Sequence, residues 1–250
     1  MKLAKLGDGP EIFHTLQGEG VSAGCPAVFV RASRCNLHCV WCDTDHTWNF
    51  TGTPWPHEKD ATPGYAKFDK SAVTIEVSPD DIARQVLAYP CERLVLTGGE
   101  PLLQQNEFIE VIRRVRERKP HTFVEVETNG TVMPQDHFLA AVDQFNVSPK
   151  LANSGMPEAL RNKPDALEVF RDSGKAWFKF VVADLQDISE IESWIGSLGI
   201  GRERMLLMPE GRTSAELDGT AALLAELCIR HGYRFSDRLH VRLWGDERGK

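Results

Sequence analysis

Arg93-Leu94-Val95-Leu96-Thr97-Gly98-Gly99-Glu100-Pro101 is a short apolar run closed by two glycines and a proline. Such a run of β-favouring residues, bounded by turn residues, reads as a buried strand. Phe108, Ile112 and Val115 then recur at helical spacing, so the strand passes straight into a helix. The same alternation extends both ways. Upstream, Ala27-Val28-Phe29-Val30-Arg31 reads as a strand. Ser78-Pro79-Asp80-Asp81 opens a helix, with Ser78 as N-cap, Pro79 at the first helical position and the acids facing the dipole. Downstream, strands are expected at 122–127, 145–147, 177–182 and 205–208. Helices are expected near 135–142, 164–172 and 188–198, and from a Thr213 cap to Gly232. Leu239 to Trp244 reads as a last strand.

Strands alternating with helices imply βαβ units and a mainly parallel sheet. About six units are present, short of the eight that close a full barrel. The expected fold is therefore α/β, a partial (β/α)6 barrel, with a doubly wound open sheet as the rival. In either case chemistry belongs at the C-terminal ends of the strands. Five such ends carry punctuated sequences: 31–42, 97–101, 127–130, 148–150 and 208–211. Asn49 to Lys70, with Pro54, Pro56, Pro63 and Gly64, reads as a loop insertion too short for a domain, so residues 1–250 are expected to form one domain.

Composition limits the partners. The chain holds 29 Lys+Arg against 36 Asp+Glu, a net charge of −7, which argues against a broad nucleic-acid footprint. No apolar run approaches the roughly 20 residues that span a bilayer. Met1 to Asp8 lacks a hydrophobic signal region, so a cytoplasmic location is expected, with no membrane partner.

Of the six cysteines, Cys25, Cys91 and Cys228 are scattered and read as buried thiols. Cys35, Cys39 and Cys42 form a C-x3-C-x2-C loop, Cys35-Asn36-Leu37-His38-Cys39-Val40-Trp41-Cys42. Crowded cysteines in a cytosolic chain point to metal or redox chemistry. Three soft thiolates suit three irons of a cubane and leave the fourth iron open to a ligand. A zinc site completed by His38 or His46 is the alternative on spacing alone.

The cysteine loop after one strand and Gly98-Gly99-Glu100-Pro101 after the next resemble the radical S-adenosylmethionine (SAM) superfamily. The resemblance implies a 4Fe-4S cluster whose open iron chelates SAM, in a partial barrel of radical SAM type. Gly98-Gly99-Glu100 resembles the segment that meets the methionine amino group, where residues without Cβ permit close approach.

A second set of residues narrows the likeness. Leu16-Gln17-Gly18-Glu19-Gly20, Cys42-Asp43-Thr44 and Leu243-Trp244-Gly245-Asp246-Glu247-Arg248-Gly249 together resemble the 7-carboxy-7-deazaguanine synthase family. That family converts 6-carboxy-5,6,7,8-tetrahydropterin to 7-carboxy-7-deazaguanine with loss of ammonia, on the way to queuosine and other 7-deazapurines. The resemblance implies pterin contacts at Leu16, Gln17, Gly18, Glu19, Arg31 and Thr97, with Arg31 suited to the substrate carboxylate. It implies SAM contacts at Trp41, Cys42, Asp43, Gly99, Ser148, Pro149 and Lys150, and at Met208, Pro209, Glu210 and Gly211. Thr44 matches a Mg2+ ligand, a hard oxygen for a hard cation. An electron donor such as flavodoxin and a homodimer are implied as partners. Glu125 and Glu127 share a strand face and would repel in a dry site; a polar barrel interior and the SAM ribose are both open as their role. Two other readings stay open: an activase of a glycyl radical enzyme, and a non-catalytic zinc or iron–sulfur module.

Overall fold

The computed structural model describes residues 1–250. Its strands are β1 (Lys2–Leu6), β2 (Gly9–Pro10), β3 (Ile12–Leu16), β4 (Pro26–Ala32), β5 (Thr74–Glu76), β6 (Arg93–Gly98), β7 (Phe123–Thr128), β8 (Gln144–Val147), β9 (Ala176–Val182), β10 (Met205–Pro209) and β11 (Arg234–Phe235). They form one sheet in the order β11-β10-β9-β8-β7-β6-β4-β1-β2, with β3 added to β4 and β5 to β1. From β4 to β11 every neighbouring pair is parallel. Strand order follows chain order without reversal. A doubly wound sheet requires a reversal at its switch point, so the winding is that of an unclosed barrel.

Alternation along the strands gives the two faces different characters. Val124 and Val126, Phe145 and Val147, Phe178 and Phe180 point outward into a core of 38 buried residues beneath the helices. Their inward neighbours are Glu125 and Glu127, Gln144 and Asn146, and Lys179. Register aligns them, with Val95 opposite Glu125 and Glu127 opposite Asn146. The barrel interior is thus polar and charged.

The helix over Pro79–Leu87 begins as expected, with the Ser78 side chain accepting from Asp81 N. Thr213 and Glu216 form a capping box on the Ser214–His231 helix, which stops at Gly232 in the left-handed region, φ +76°. Two elements differ from the sequence reading, and of the three scattered cysteines only Cys228 is buried, Cys25 and Cys91 being half-buried. Leu239–Trp244 is a helix. The sheet edge is already taken by β11, and Leu239 N donates instead to Gly18 O, which lays the segment across the barrel mouth. The antiparallel strands β1, β2, β3 and β5 were outside the alternation and are too short to register as periodic runs. No helix is long and apolar enough to cross a membrane.

Candidate active site

The cysteine loop leaves β4 and lies over the rim where the parallel strands end. Its root rests on the β6 turn: Gly99 N donates to Ala32 O at 3.0 Å and Glu100 N to Arg34 O at 2.9 Å. A Cβ on Gly98 would run into the Ala32 backbone, and one on Gly99 into Arg34 O. Both glycines are therefore required by the approach of two chain segments, before any ligand is considered. Asn129 Nδ2 donates to Asn36 Oδ1 at 3.0 Å and Asn36 Nδ2 to Thr131 Oγ1 at 2.8 Å, which ties the loop to the end of β7. Glu100 is buried and accepts from Leu102 N, Thr128 Oγ1 and Asn129 N at 2.8–3.0 Å; burial pushes its carboxyl up.

Cys35, Cys39 and Cys42 all face one cavity at this rim. Burial, with negative neighbours adding to it, raises all three thiols, Cys39 to about 12. Such thiols ionise only beside positive charge, which a bound iron–sulfur core supplies. Three soft donors on one loop, with an open cavity in front of them, fit a three-cysteine cluster. They do not fit zinc. The two imidazoles either of which would complete a zinc site are turned elsewhere: His38 stacks on Trp55 at 3.5 Å, and His46 Nε2 sits 3.2 Å from Glu11 Oε2.

The strand ends bring the other expected residues to the same cavity. Leu16, Gln17, Gly18, Glu19, Arg31, Trp41, Asp43, Thr44, Thr97, Gly99, Ser148, Lys150, Met208, Pro209 and Glu210 all line it. Pro149 and Gly211 do not. Pro149 shapes the turn after β8, and the Gly211 carbonyl is occupied by Arg238 Nη1 at 2.6 Å. Lys150 Nζ bonds Ser148 Oγ at 2.9 Å and lies 5.5 Å from the Trp41 ring, a fixed cation beside the cysteine loop. Arg31 donates through Nε to Glu11 at 2.7 Å, which leaves its two Nη groups for a ligand in the cavity.

Two expected substrate contacts are otherwise engaged. Gln17 is 3% exposed, and its amide donates to Glu125 at 2.7 Å and Glu127 at 3.1 Å. Both amide hydrogens are used within the protein, so its donor edge is not free for a pterin. Glu19 accepts from Lys179 and from Arg238 Nε at 3.0 Å. Burial opposes its ionisation, but Lys179 and Arg238 outweigh it and hold the carboxyl well below its ordinary range.

These contacts belong to a chain of charges that sequence reading missed. Arg93 pairs with Glu125 at 2.9 Å, and Asn146 Nδ2 bridges Glu125 and Glu127 at 2.5 and 2.7 Å. Lys179 joins Glu127 to Glu19, and Arg238 joins Glu19 to Asp43. The carboxylates that would repel one another are thus interleaved with amides and cations. Lys179 and Arg238 gave no motif; the available signal was their polar character in otherwise apolar or terminal segments. Arg212 was likewise missed. It donates to Trp41 O at 3.3 Å and Cys42 O at 2.8 Å.

Residues 29–195 match the Radical SAM superfamily. A 7-carboxy-7-deazaguanine synthase of Pyrobaculum aerophilum is 34% identical, with 96% of each chain aligned. The chain belongs to the 7-carboxy-7-deazaguanine synthase family. The Halobacterium salinarum member is 38% identical over 96% of this chain and 93% of its own length. In fold, the crystal structure of QueE from Escherichia coli superposes with a TM-score of 0.65 at 24% identity, covering 96% of this chain and 95% of that one. As a radical SAM enzyme of this family, the chain carries a 4Fe-4S cluster and uses SAM.

Proposed function

We propose that the chain converts 6-carboxy-5,6,7,8-tetrahydropterin to 7-carboxy-7-deazaguanine and ammonia. The observation that carries this reading is the convergence of Leu16, Gly18, Arg31, Thr44, Thr97 and the three cysteines on one polar cavity, in a chain of this family. Product and ammonia together account for every atom of the substrate, so the conversion needs no net oxidant or reductant.

Cys35, Cys39 and Cys42 would hold the cluster, which with bound SAM would supply radical chemistry for abstracting one substrate hydrogen. The protein's residues select and orient that hydrogen. Arg31, fixed through Nε by Glu11, presents a guanidinium to the substrate carboxylate. Thr97, at the end of β6, stands beside Gly98-Gly99 and offers a hydroxyl to the ring. Lys150, Ser148 and the Met208–Glu210 segment line the SAM side. Leu239–Trp244 lies across the mouth with His240 on the cavity wall, which limits water.

Mg2+ is part of the proposal. Thr44 Oγ1 is 3.6 Å from Cys42 Sγ, so this hydroxyl would hold a cation close to the cluster. One protein oxygen suffices, because Mg2+ keeps waters and completes its shell with substrate. A flavodoxin-type carrier as electron donor, a cytoplasmic location and a homodimer complete the reading. The short open-edge strand β11 with exposed Phe235, and Ile229 at 85% exposure, support a partner copy.

The test is anaerobic incubation of the reconstituted protein with SAM, a chemical reductant, Mg2+ and the carboxytetrahydropterin. The expected result is 7-carboxy-7-deazaguanine and ammonia in equal amounts. SAM cleavage without that product would refute the substrate assignment.

A further inference from the structure

Trp48 is 3% exposed, lies on the cavity wall beside Cys42, and its indole N–H has no acceptor within the protein. Trp48 and Cys42 line the same cavity, and His57, which packs on the indole ring, also bonds the Cys42 carbonyl. A buried donor left without an acceptor is costly, and structures rarely keep one without a use. Beyond the indole, Cys42 is gripped at its carbonyl, which accepts from Arg212 Nη2 at 2.8 Å and from His57 Nε2 at 2.9 Å. The His57 tautomer follows from its other nitrogen: Nδ1 accepts from Lys59 N at 3.2 Å, so the proton is on Nε2.

The 49–70 segment supplies the His57 half of this grip. His57 packs on the Trp48 ring at 6.0 Å, and His38 meets that ring edge-on at 5.2 Å. His38 in turn is held under Trp55, a residue of the insertion, with the rings within 5° of parallel. Glu58 N donates to Val40 O at 2.9 Å, which pins the insertion to the middle of the cysteine loop. The insertion is therefore packed against the cluster loop at three points, and the indole is wedged between two imidazoles.

We propose that Trp48 donates its indole N–H to the Cys42 corner of the cluster and thereby sets the cluster's reduction potential, with the 49–70 segment holding the ring in place. Reduction adds negative charge to the iron–sulfur core and its thiolates. A donor aimed at a ligand sulfur stabilises the reduced form more than the oxidised form, so the potential rises. Trp48 acts through the cysteine and is a positioning residue, with no contact to substrate required.

The inference rests on the cluster reading and not on the identity of the substrate, so it is tested without pterin or SAM. Wild-type protein and Trp48→Phe are reconstituted anaerobically and titrated, with the reduced cluster followed by electron paramagnetic resonance. The expected result is equal iron and sulfide in both, with the midpoint of the variant shifted to more negative potential. Equal midpoints would overturn the proposal. A second measurement needs no variant: wild-type protein labelled with 15N at the indole nitrogen should show a 15N coupling to the reduced cluster in pulsed spectra. Trp41 Nε1 is committed to the Asn153 carbonyl at 3.1 Å, so the coupling reports Trp48. Absence of the coupling would also overturn the proposal. A chain that takes up no iron and sulfide would refute the cluster reading and this inference together.

Discussion

Arg238 donates through Nη2 to the Asp43 carboxylate, one residue beyond the last cluster cysteine. The same guanidinium donates through Nε to Glu19 at 3.0 Å and through Nη1 to the Gly211 carbonyl at 2.6 Å. One 7%-exposed side chain thus ties the proposed pterin segment, the proposed SAM segment and the cluster loop together. Against the rise that burial would cause, Arg238 holds Asp43 down to about 2. Lysine keeps the charge and loses the planar fork. Arg238→Lys is expected to lower product formation by about 10- to 100-fold, the usual cost of removing a residue that orients metal-site ligands. The ratio of 5′-deoxyadenosine to product should rise while iron content is unchanged. A variant in which both products fall in parallel would remove Arg238 as the link between the sites.

The three cysteines of the loop and Cys228 separate cleanly in the structure. Cys228 is buried in the main core under the last long helix, whereas the loop cysteines line the cavity. Cys35→Ala, Cys39→Ala and Cys42→Ala are expected to lose most bound iron and all SAM cleavage. Cys228→Ala should retain full iron and sulfide content, with a stability loss of about 1 kcal/mol from the small cavity. Iron analysis and thermal melts decide both halves, and a cluster lost from Cys228→Ala would show that the ligand assignment is wrong.

Glu11 gives the protein an acid-sensitive joint. It is 1% exposed and bonded to Arg31, His46 and Arg248. Burial raises its carboxyl, but the Arg31, His46 and Arg248 side chains outweigh that and hold it far below the ordinary carboxylate range. The folded pKa is therefore below the unfolded value of about 4.3. Its contribution to stability is complete above pH ~4.3 and is lost as pH falls toward the folded value. Urea unfolding between pH 3 and 7 should show stability falling on the acid side in the wild type. Glu11→Gln should flatten that slope and cost about 3 kcal/mol near neutrality, since it leaves Arg31 without its buried partner. An unchanged acid slope in the variant would show that another group carries it.

The difference between what could and could not be read from sequence follows from range. Ser78, Thr213 and Gly232 act within a few residues of themselves, and the helices start and stop where they stand. The strand ends were legible because each β-run is closed by its own turn residues, and converging ends imply a shared cavity in any parallel sheet. The bonds of Gln17 were not legible because its partners, Glu125 and Glu127, are more than 100 residues away and meet it only across the barrel. Lys179 and Arg238 have the same character. Their partners come from other strands and loops, and no local pattern marks a cation that will be buried between distant carboxylates. Leu239–Trp244 shows the converse: its apolar alternation suits a strand, but β11 had already taken the sheet edge.

Gln17 supplies the sharpest test of that long-range reading. A residue that reads the pterin edge should, when removed, raise KM and leave folding stability nearly intact. A residue whose two amide hydrogens bridge Glu125 and Glu127 should do the reverse. Gln17→Ala strips donors from two carboxylates inside the barrel, and leaving buried acceptors short of partners costs about 1–3 kcal/mol. The expected outcome is a loss of that size in chemical denaturation. Gln17→Glu should be worse, because it places a third carboxylate against the pair and one of the three must then bind a proton. That variant should regain stability as pH is lowered from 8 toward 5, opposite in sign to the Glu11 effect. A raised KM with unchanged denaturation midpoints in Gln17→Ala would return the residue to the substrate.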